Sequence, residues 1–256
     1  MRETANAASM SERPSHTQTA KPAGVACGLF LLRLRDSLCA LAKKESGMTY
    51  RLYGDLGSGA FSAEAALAEV GAPYEFELIS LDRGEQKAPE FLSLNPSGKI
   101  PALRLPEGEI VTESLAILLT LADHFPQSGL LPAQAAPARA NAYRWLAFMA
   151  SEIYPFVEIA DYPERFAPKG PQADALREVA RGRVRERLLL IERILAGPFL
   201  LRGGFSLLDI YAAMFSRWSI GADWRRLNLP RLTALAAAVS KRPTIAPVWS
   251  RHFEQR

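Results

Sequence analysis

Two hydrophobic periods divide the chain. From Thr49 to Phe125, strand-like runs alternate with helical stretches, whereas beyond Pro137 only the helical period remains. Tyr50-Arg51-Leu52-Tyr53 predicts a short strand, and Gly54 to Gly59 a glycine-rich turn. Ser62 to Val70 is an alanine-rich helix, closed by Gly71 with Pro73 just beyond. Tyr74 to Ile79 alternates aromatic or aliphatic residues with acidic ones and predicts a second strand. Pro89 to Leu94 predicts one or two helical turns. Ala102–Leu105 and Ile110–Val111 flank Pro106-Glu107-Gly108-Glu109 as a hairpin. Ser114 to Phe125 is an apolar-faced helix that stops near Pro126. This order predicts a small mixed sheet with helices on both faces, which accounts for the apolar strands.

Residues 127–137 are rich in Pro, Ala, Gly and Ser and predict a linker, here taken as 128–137, between a domain at 48–127 and one at 138–250. Ala138 to Glu158 carries Tyr143, Trp145, Leu146, Met149, Ile153 and Tyr154 at near-helical spacing. Asp174 to Ala196 is amphipathic, with Val184, Leu188, Ile191 and Leu195 on one stripe. Its arginines are interleaved with Glu178, Glu186 and Glu192, so they read as a solvated face and not an anion site. Ser206-Leu207-Leu208-Asp209 has the form of a capping box worth about 1–2 kcal/mol.

Composition changes the picture at one end only. The formal charge is +4, but residues 1–47 hold seven basic and four acidic residues, leaving 24 basic against 23 acidic in the rest. The body is therefore near neutral, and a nucleic-acid-binding surface is not expected. Residues 1–47 are expected to be a disordered extension, its first 22 residues lacking periodicity. The apolar run Ala23 to Leu32 is too short to span a bilayer and makes a poor signal-peptide core, and Met48 reads as an alternative start. Cys27 and Cys39 both lie in this extension. After Met48 there is no cysteine, which excludes a disulfide framework, a cysteine-based metal site and a Cys-x-x-Cys pair there. His16, His124 and His252 are scattered and suggest neither a triad nor a metal cluster.

The densest chemistry is Asn95-Pro96-Ser97-Gly98-Lys99-Ile100-Pro101-Ala102-Leu103, followed by Thr112-Glu113-Ser114. A cis Ile100–Pro101 bond at a strand entrance would expose the Ile100 main chain. A carboxylate, a hydroxyl and free N–H groups at a helix start can grip a zwitterionic head group. These two segments resemble the glutathione-binding half of the glutathione S-transferases, and the Ser206–Asp209 box and the stretch Leu229 to Pro243 resemble that family's second domain. The resemblance implies an α/β N-terminal thioredoxin-like domain with a mixed four-stranded sheet, followed by an all-α helical bundle. It implies glutathione as co-substrate, no metal, a small hydrophobic electrophile as second substrate, a homodimer and a cytoplasmic location without membrane attachment. By resemblance, Glu113 takes the γ-glutamyl ammonium and Ser114 the α-carboxylate. Ile100 pairs its main chain with the cysteinyl unit. Pro101 presents Ile100, and Lys99 reaches the glycyl carboxylate.

A free thiol of pKa about 8.5 is only ~3% ionised at pH 7. Lowering that value by about two units, for roughly 2.7 kcal/mol, would ionise about three-quarters of it. A hydroxyl hydrogen bond and a helix N-terminus can supply this. Ser58, between Gly57 and Gly59, resembles the catalytic serine of serine-type members. Ser62 is the expected N-cap of the following helix and an alternative donor, and Tyr53 a packing aromatic or alternative phenol. Tyr143, Trp145 and Phe148 are the expected lining of the electrophile pocket. Two rival readings remain: a glutathione-dependent isomerase or reductase on the same fold, and a non-catalytic glutathione-binding protein. The turn Gly57-Ser58-Gly59-Ala60-Phe61-Ser62 lacks the Ser-Ser-Cys form usual in the isomerases, which lowers that option.

Overall fold

A computed structural model describes residues 49–218 and 220–254. The expectations for residues 1–47, with Cys27, Cys39 and His16, lie outside the described residues. The first part is a mixed sheet with helices, and the second is an all-helical bundle. Strand β1 (Tyr50–Gly54) lies inside the sheet, whose order is β2-β1-β3-β4. It pairs in parallel with β2 (Tyr74–Leu78) and antiparallel with β3 (Ala102–Arg104). β4 (Ile110–Thr112) completes the hairpin on β3. Parallel pairing of β1 with β2 requires a crossover, and helix α1 (Ala60–Val70) supplies it. Its small side chains Ala60, Ala63, Ala65 and Ala66 are fully buried, so α1 packs closely against its neighbours. Gly71 ends it at φ 67°, a left-handed conformation that glycine adopts without steric cost.

Helix α2 (Pro89–Leu94) precedes the Asn95–Pro101 loop, and α3 (Ser114–His124) follows β4. The helical part comprises α4 (Pro137–Phe148), α5 (Tyr154–Asp161), α6 (Pro171–Ile194) and α7 (Leu207–Phe215). It continues with α8 (Ala222–Asn228), α9 (Pro230–Ser240) and α10 (Ala246–Phe253). Helix α7 is buried along its whole length and forms the axis of the bundle. The Ser206–Asp209 box is present: the Asp209 carboxylate accepts the Ser206 N–H at 2.8 Å and the Ser206 hydroxyl at 3.0 Å. It also accepts the Leu200 N–H at 2.8 Å. The arginines of α6 pair as a solvated face, for example Arg181 with Glu178 at 2.8 Å and Arg183 with Glu186 at 3.0 Å.

Three local expectations need correction. Residues 138–158 are not one regular helix, because a π-helical turn at Met149–Ile153 separates α4 from α5. Pro155 has no N–H to give the Ser151 carbonyl, and the wider turn accommodates the missing bond. Ser62 is not an N-cap: α1 begins at Ala60, and Ser62 instead donates its hydroxyl to the Gly59 carbonyl at 2.9 Å. The helix starts early because the Ser58 hydroxyl already accepts the Ala60 N–H at 3.2 Å. Finally, α10 was not foreseen. Trp249 and Phe253 on α10 meet Phe61 of α1 at centroid distances of 5.5 and 4.9 Å, so the chain end packs onto the sheet domain. Among the described residues, no helix is long and apolar enough to cross a membrane.

Candidate active site

A cleft of about 490 Å³ lies where the sheet domain meets the bundle. Ser58, Lys99, Ile100, Pro101, Glu113 and Ser114 all line it. The predicted residues, which span positions 58 to 114 of the sequence, thus meet in one place.

One side is the Asn95–Pro101 loop. Asn95 is buried and staples the loop: its amide donates to the Lys99 carbonyl at 2.6 Å, and its Oδ1 accepts the Ser97 hydroxyl at 2.8 Å. The Lys87 ammonium donates to the Ser97 carbonyl at 3.3 Å. The staple delivers Ile100 to the cleft edge, and the Ile100–Pro101 bond is cis. The Ile100 main chain makes no hydrogen bond among the described residues, although β3 begins only two residues later.

Next to it stands the start of α3. Glu113 has φ 64° and ψ 117°, a rare backbone conformation for a residue with a side chain. Its exposed carboxylate makes no hydrogen bond or ion pair among the described residues. Ser114 is buried, and its hydroxyl meets the Tyr211 phenol at 2.7 Å. Burial pushes the Tyr211 and Tyr154 phenols well above the usual tyrosine range, so both remain neutral.

The other side is the turn from Asp55 to Gly59. Ser58 donates its hydroxyl to the Asp55 carbonyl at 2.6 Å. The Asp55 carboxylate in turn accepts the Leu56 N–H at 2.7 Å and the Leu81 N–H at 2.8 Å. Gly59 carries no side chain for a steric reason: a Cβ there would sit 2.0 Å from the Tyr154 hydroxyl. That phenol, from α5, therefore lies directly over the N-terminus of α1. Tyr53 is 3% exposed and packs edge-on against Phe91 at 6.4 Å, which fits the packing reading.

The helical wall differs from the expected one. Tyr143 is exposed and accepts the Arg139 Nε–H at 2.6 Å, away from the cleft. Trp145 stacks edge-on with Phe148 at 5.4 Å, and neither lines the cleft. The π-helical turn ends α4 before the cleft, so α5 supplies the wall instead, with Tyr154, Pro155, Glu158 and Tyr162 just beyond. Tyr211 and Trp218 complete it. Lys99 is ion-paired with Glu158 at 2.8 Å. Burial pushes the Glu158 carboxyl up, but hydrogen bonds and charge from Lys99 and Arg165 outweigh it and hold it below the ordinary range.

Two histidines resolve differently. His124 meets the Tyr50 hydroxyl at 2.9 Å, away from the cleft. His252 was the larger omission. It is fully buried, its Nδ1 accepts the Gly57 N–H at 3.0 Å, and its Nε2 lies 2.8 Å from Glu64. No local pattern could have signalled it, because its partners lie 195 and 188 residues away. Among the described residues, no group of three His, Cys, Asp or Glu side chains is arranged to hold a metal ion.

Comparison with known proteins gives this geometry a context. Residues 60–124 match the family described as glutathione S-transferase, N-terminal domain. The chain is 31% identical over 203 residues to the uncharacterized GST-like protein YncG of Escherichia coli (strain K12), covering 79% of this chain and 98% of that protein. Among solved structures, a glutathione transferase homologue from Sulfitobacter with bound glutathione superimposes with a TM-score of 0.71 at 26% identity, covering 78% of this chain and 96% of the other. A sphingomonad glutathione S-transferase complexed with glutathione gives 0.65 at 32% identity, covering 77% and 96%.

Proposed function

The chain belongs to the glutathione S-transferase family, and from that premise we propose that it binds glutathione in this cleft and joins it, through its thiolate sulfur, to a small hydrophobic electrophile. The observation that carries the reading is convergence. The Ile100 main chain and the Glu113 carboxylate, neither of them paired among the described residues, and the Ser58 turn at the start of α1 face a single cleft.

Glu113 takes the γ-glutamyl ammonium through a charge-assisted hydrogen bond, and the Ser114 N–H at the start of α3 takes the adjacent carboxylate. Ile100 gives its N–H and C=O to the cysteinyl unit as an added strand would. Pro101 holds Ile100 in that pose. Lys99 serves the glycyl carboxylate while its other neighbour is Glu158. Ser58 acts on the sulfur: its hydroxyl hydrogen rotates about the Cβ–Oγ bond and can pass from the Asp55 carbonyl to a thiolate. The N-terminus of α1 adds its partial positive charge. Glutathione supplies the thiol. When the C–S bond forms on the electrophile, the displaced electron pair departs with the leaving group and the thiol proton passes to solvent.

Titration calorimetry with glutathione tests the binding, and absence of heat at millimolar ligand refutes it. Turnover of an aromatic chloronitro electrophile tests the chemistry. Ser58→Ala is expected to lower kcat by about tenfold to hundredfold with little change in glutathione affinity. Equal rates remove Ser58 from the mechanism. Light scattering tests the homodimer that the family resemblance suggests.

A further inference from the structure

A buried polar chain runs from the C-terminal helix into the turn beside Ser58, and the roles assigned above do not use it. His252 on α10 accepts the Gly57 N–H through Nδ1 at 3.0 Å. Its Nε2 lies 2.8 Å from a Glu64 carboxylate oxygen. With a donor facing Nδ1 and a carboxylate facing Nε2, the ring hydrogen belongs on Nε2. Glu64, fully buried within α1, also accepts the Tyr74 hydroxyl at 2.9 Å and pairs with Arg251. The carbonyl of the same Gly57 accepts the Trp218 indole N–H at 2.9 Å. Both main-chain groups of Gly57 are thus held by side chains of the helical half.

Packing alone does not require an imidazole here. The rings around it, Phe61 at 5.5 Å and Phe76 at 6.0 Å, would accept a phenylalanine. What an imidazole adds is an acceptor for a buried backbone N–H, with Glu64 fixing the ring so that the acceptor points inward. Gly57 has φ 69°, and the next residue is Ser58. The orientation of the two peptide planes around Gly57 therefore decides where the Ser58 hydroxyl and the first N–H groups of α1 point.

We propose that His252, held by Glu64, is a positioning residue that sets the Gly57 peptide and thereby how strongly the cleft acidifies a bound thiol. Its consequence for chemistry rests on the glutathione reading, whereas the brace itself does not. Three variants separate the outcomes. His252→Phe keeps the ring packing and removes both bonds. His252→Asn places an amide oxygen near the former Nδ1. Trp218→Phe removes the indole donor and keeps an aromatic ring in the cleft wall.

The thiol of bound glutathione is titrated through its thiolate ultraviolet band, and the Gly57 amide is followed by NMR. His252→Phe is expected to raise the titration midpoint by about one unit, or about tenfold less thiolate at a fixed pH, with glutathione Kd within about threefold. It should also move the Gly57 amide resonance upfield. His252→Asn should restore most of both. An unchanged midpoint and resonance in His252→Phe overturn the proposal, and so do equal losses in the Phe and Asn variants, which would mean that an acceptor at the Nδ1 position does not set the Gly57 peptide. If His252→Phe does not fold, Trp218→Phe decides: its midpoint must rise in the same direction, and no rise overturns the proposal. A native protein that binds no glutathione overturns the proposed function and the thiol-setting role together, while the Gly57 resonance still decides whether the brace exists.

Discussion

The loop on one side of the cleft and the turn on the other are held by different means. The Asn95–Pro101 loop is closed by its own neighbours: Asn95 bonds to Lys99 and Ser97, and Lys87 reaches Ser97 from ten residues away. The Asp55–Gly59 turn has bonds of its own through Asp55 and Ser58, but it is also held from far along the chain. Trp218 and His252 bond Gly57 across 161 and 195 residues, and Tyr154 closes over Gly59. A locally closed loop keeps its shape whatever the bundle does, because its loop-closure entropy is small. A turn held by remote side chains takes its shape from the bundle. Changes in the helical half should therefore disturb thiol chemistry before they disturb affinity for the tripeptide backbone.

The largest expected effect tests a remote strut on the head-group side. Helix α7 carries Tyr211 to the Ser114 hydroxyl, and Asp209 anchors the start of that helix. Asp209→Ala leaves the buried Ser206 N–H and the half-buried Leu200 N–H without their acceptor, and should cost about 3 kcal/mol or more in a urea melt. A loss under about 1 kcal/mol would show that the anchor is dispensable. The pH dependence has a definite sign. Burial pushes the Asp209 carboxyl up to about 6 despite the hydrogen bonds it accepts. The folded state then holds the proton more tightly than the unfolded state, whose value is near 3.8. The contribution is complete below about pH 4 and is lost as pH rises through about 6. Urea midpoints should therefore fall across that window in the native protein and fall less in Asp209→Asn.

Gly59→Ala comes next, because it attacks the remotely held turn directly. Its Cβ would meet the Tyr154 hydroxyl at 2.0 Å, and relieving that overlap should cost about 2 kcal/mol. Removing the hydroxyl with Tyr154→Phe should recover most of the loss. Additive losses in the double variant would mean that the two residues do not touch.

The same contrast explains what could be read from the sequence. The loop Asn95–Pro101 and the couplet Glu113-Ser114 were legible because their structure is made by residues within a few positions of one another. So were Gly71 and the Ser206–Asp209 box, whose hydrogen bonds close within the same turn. The start of α1 was misplaced by two residues, because a serine hydroxyl can cap from position 58 or from position 62 and the pattern does not choose. The wall facing the cleft was misassigned because the regular helix carrying Tyr143, Trp145 and Phe148 ends at a π-helical turn, and the lining side chains come from α5 beyond it. His252 was invisible. A histidine near a chain end has no period and no neighbour motif, and its meaning comes only from Gly57 and Glu64.

Smaller effects belong to the locally closed side. Glu113→Gln should weaken glutathione binding by about 1.5–2 kcal/mol, roughly tenfold to thirtyfold, by calorimetry. Its urea midpoint should stay unchanged, since the carboxylate makes no hydrogen bond or ion pair among the described residues. A stability loss comparable to the affinity loss would instead place Glu113 in the architecture.

The smallest effect is the most discriminating. Lys99 is joined to Glu158 at 2.8 Å, with both side chains partly exposed, so the pair contributes less than about 1 kcal/mol to stability. It is also the one ion pair linking the Asn95–Pro101 loop to α5 among the described residues. Lys99→Met should leave the urea midpoint nearly unchanged and weaken glutathione severalfold, with less sensitivity of Kd to added salt than the native protein shows. If affinity and its salt dependence are both native, Lys99 serves only Glu158. The loop would then owe part of its position to the bundle, and the two sides would be less different than the hydrogen bonds make them.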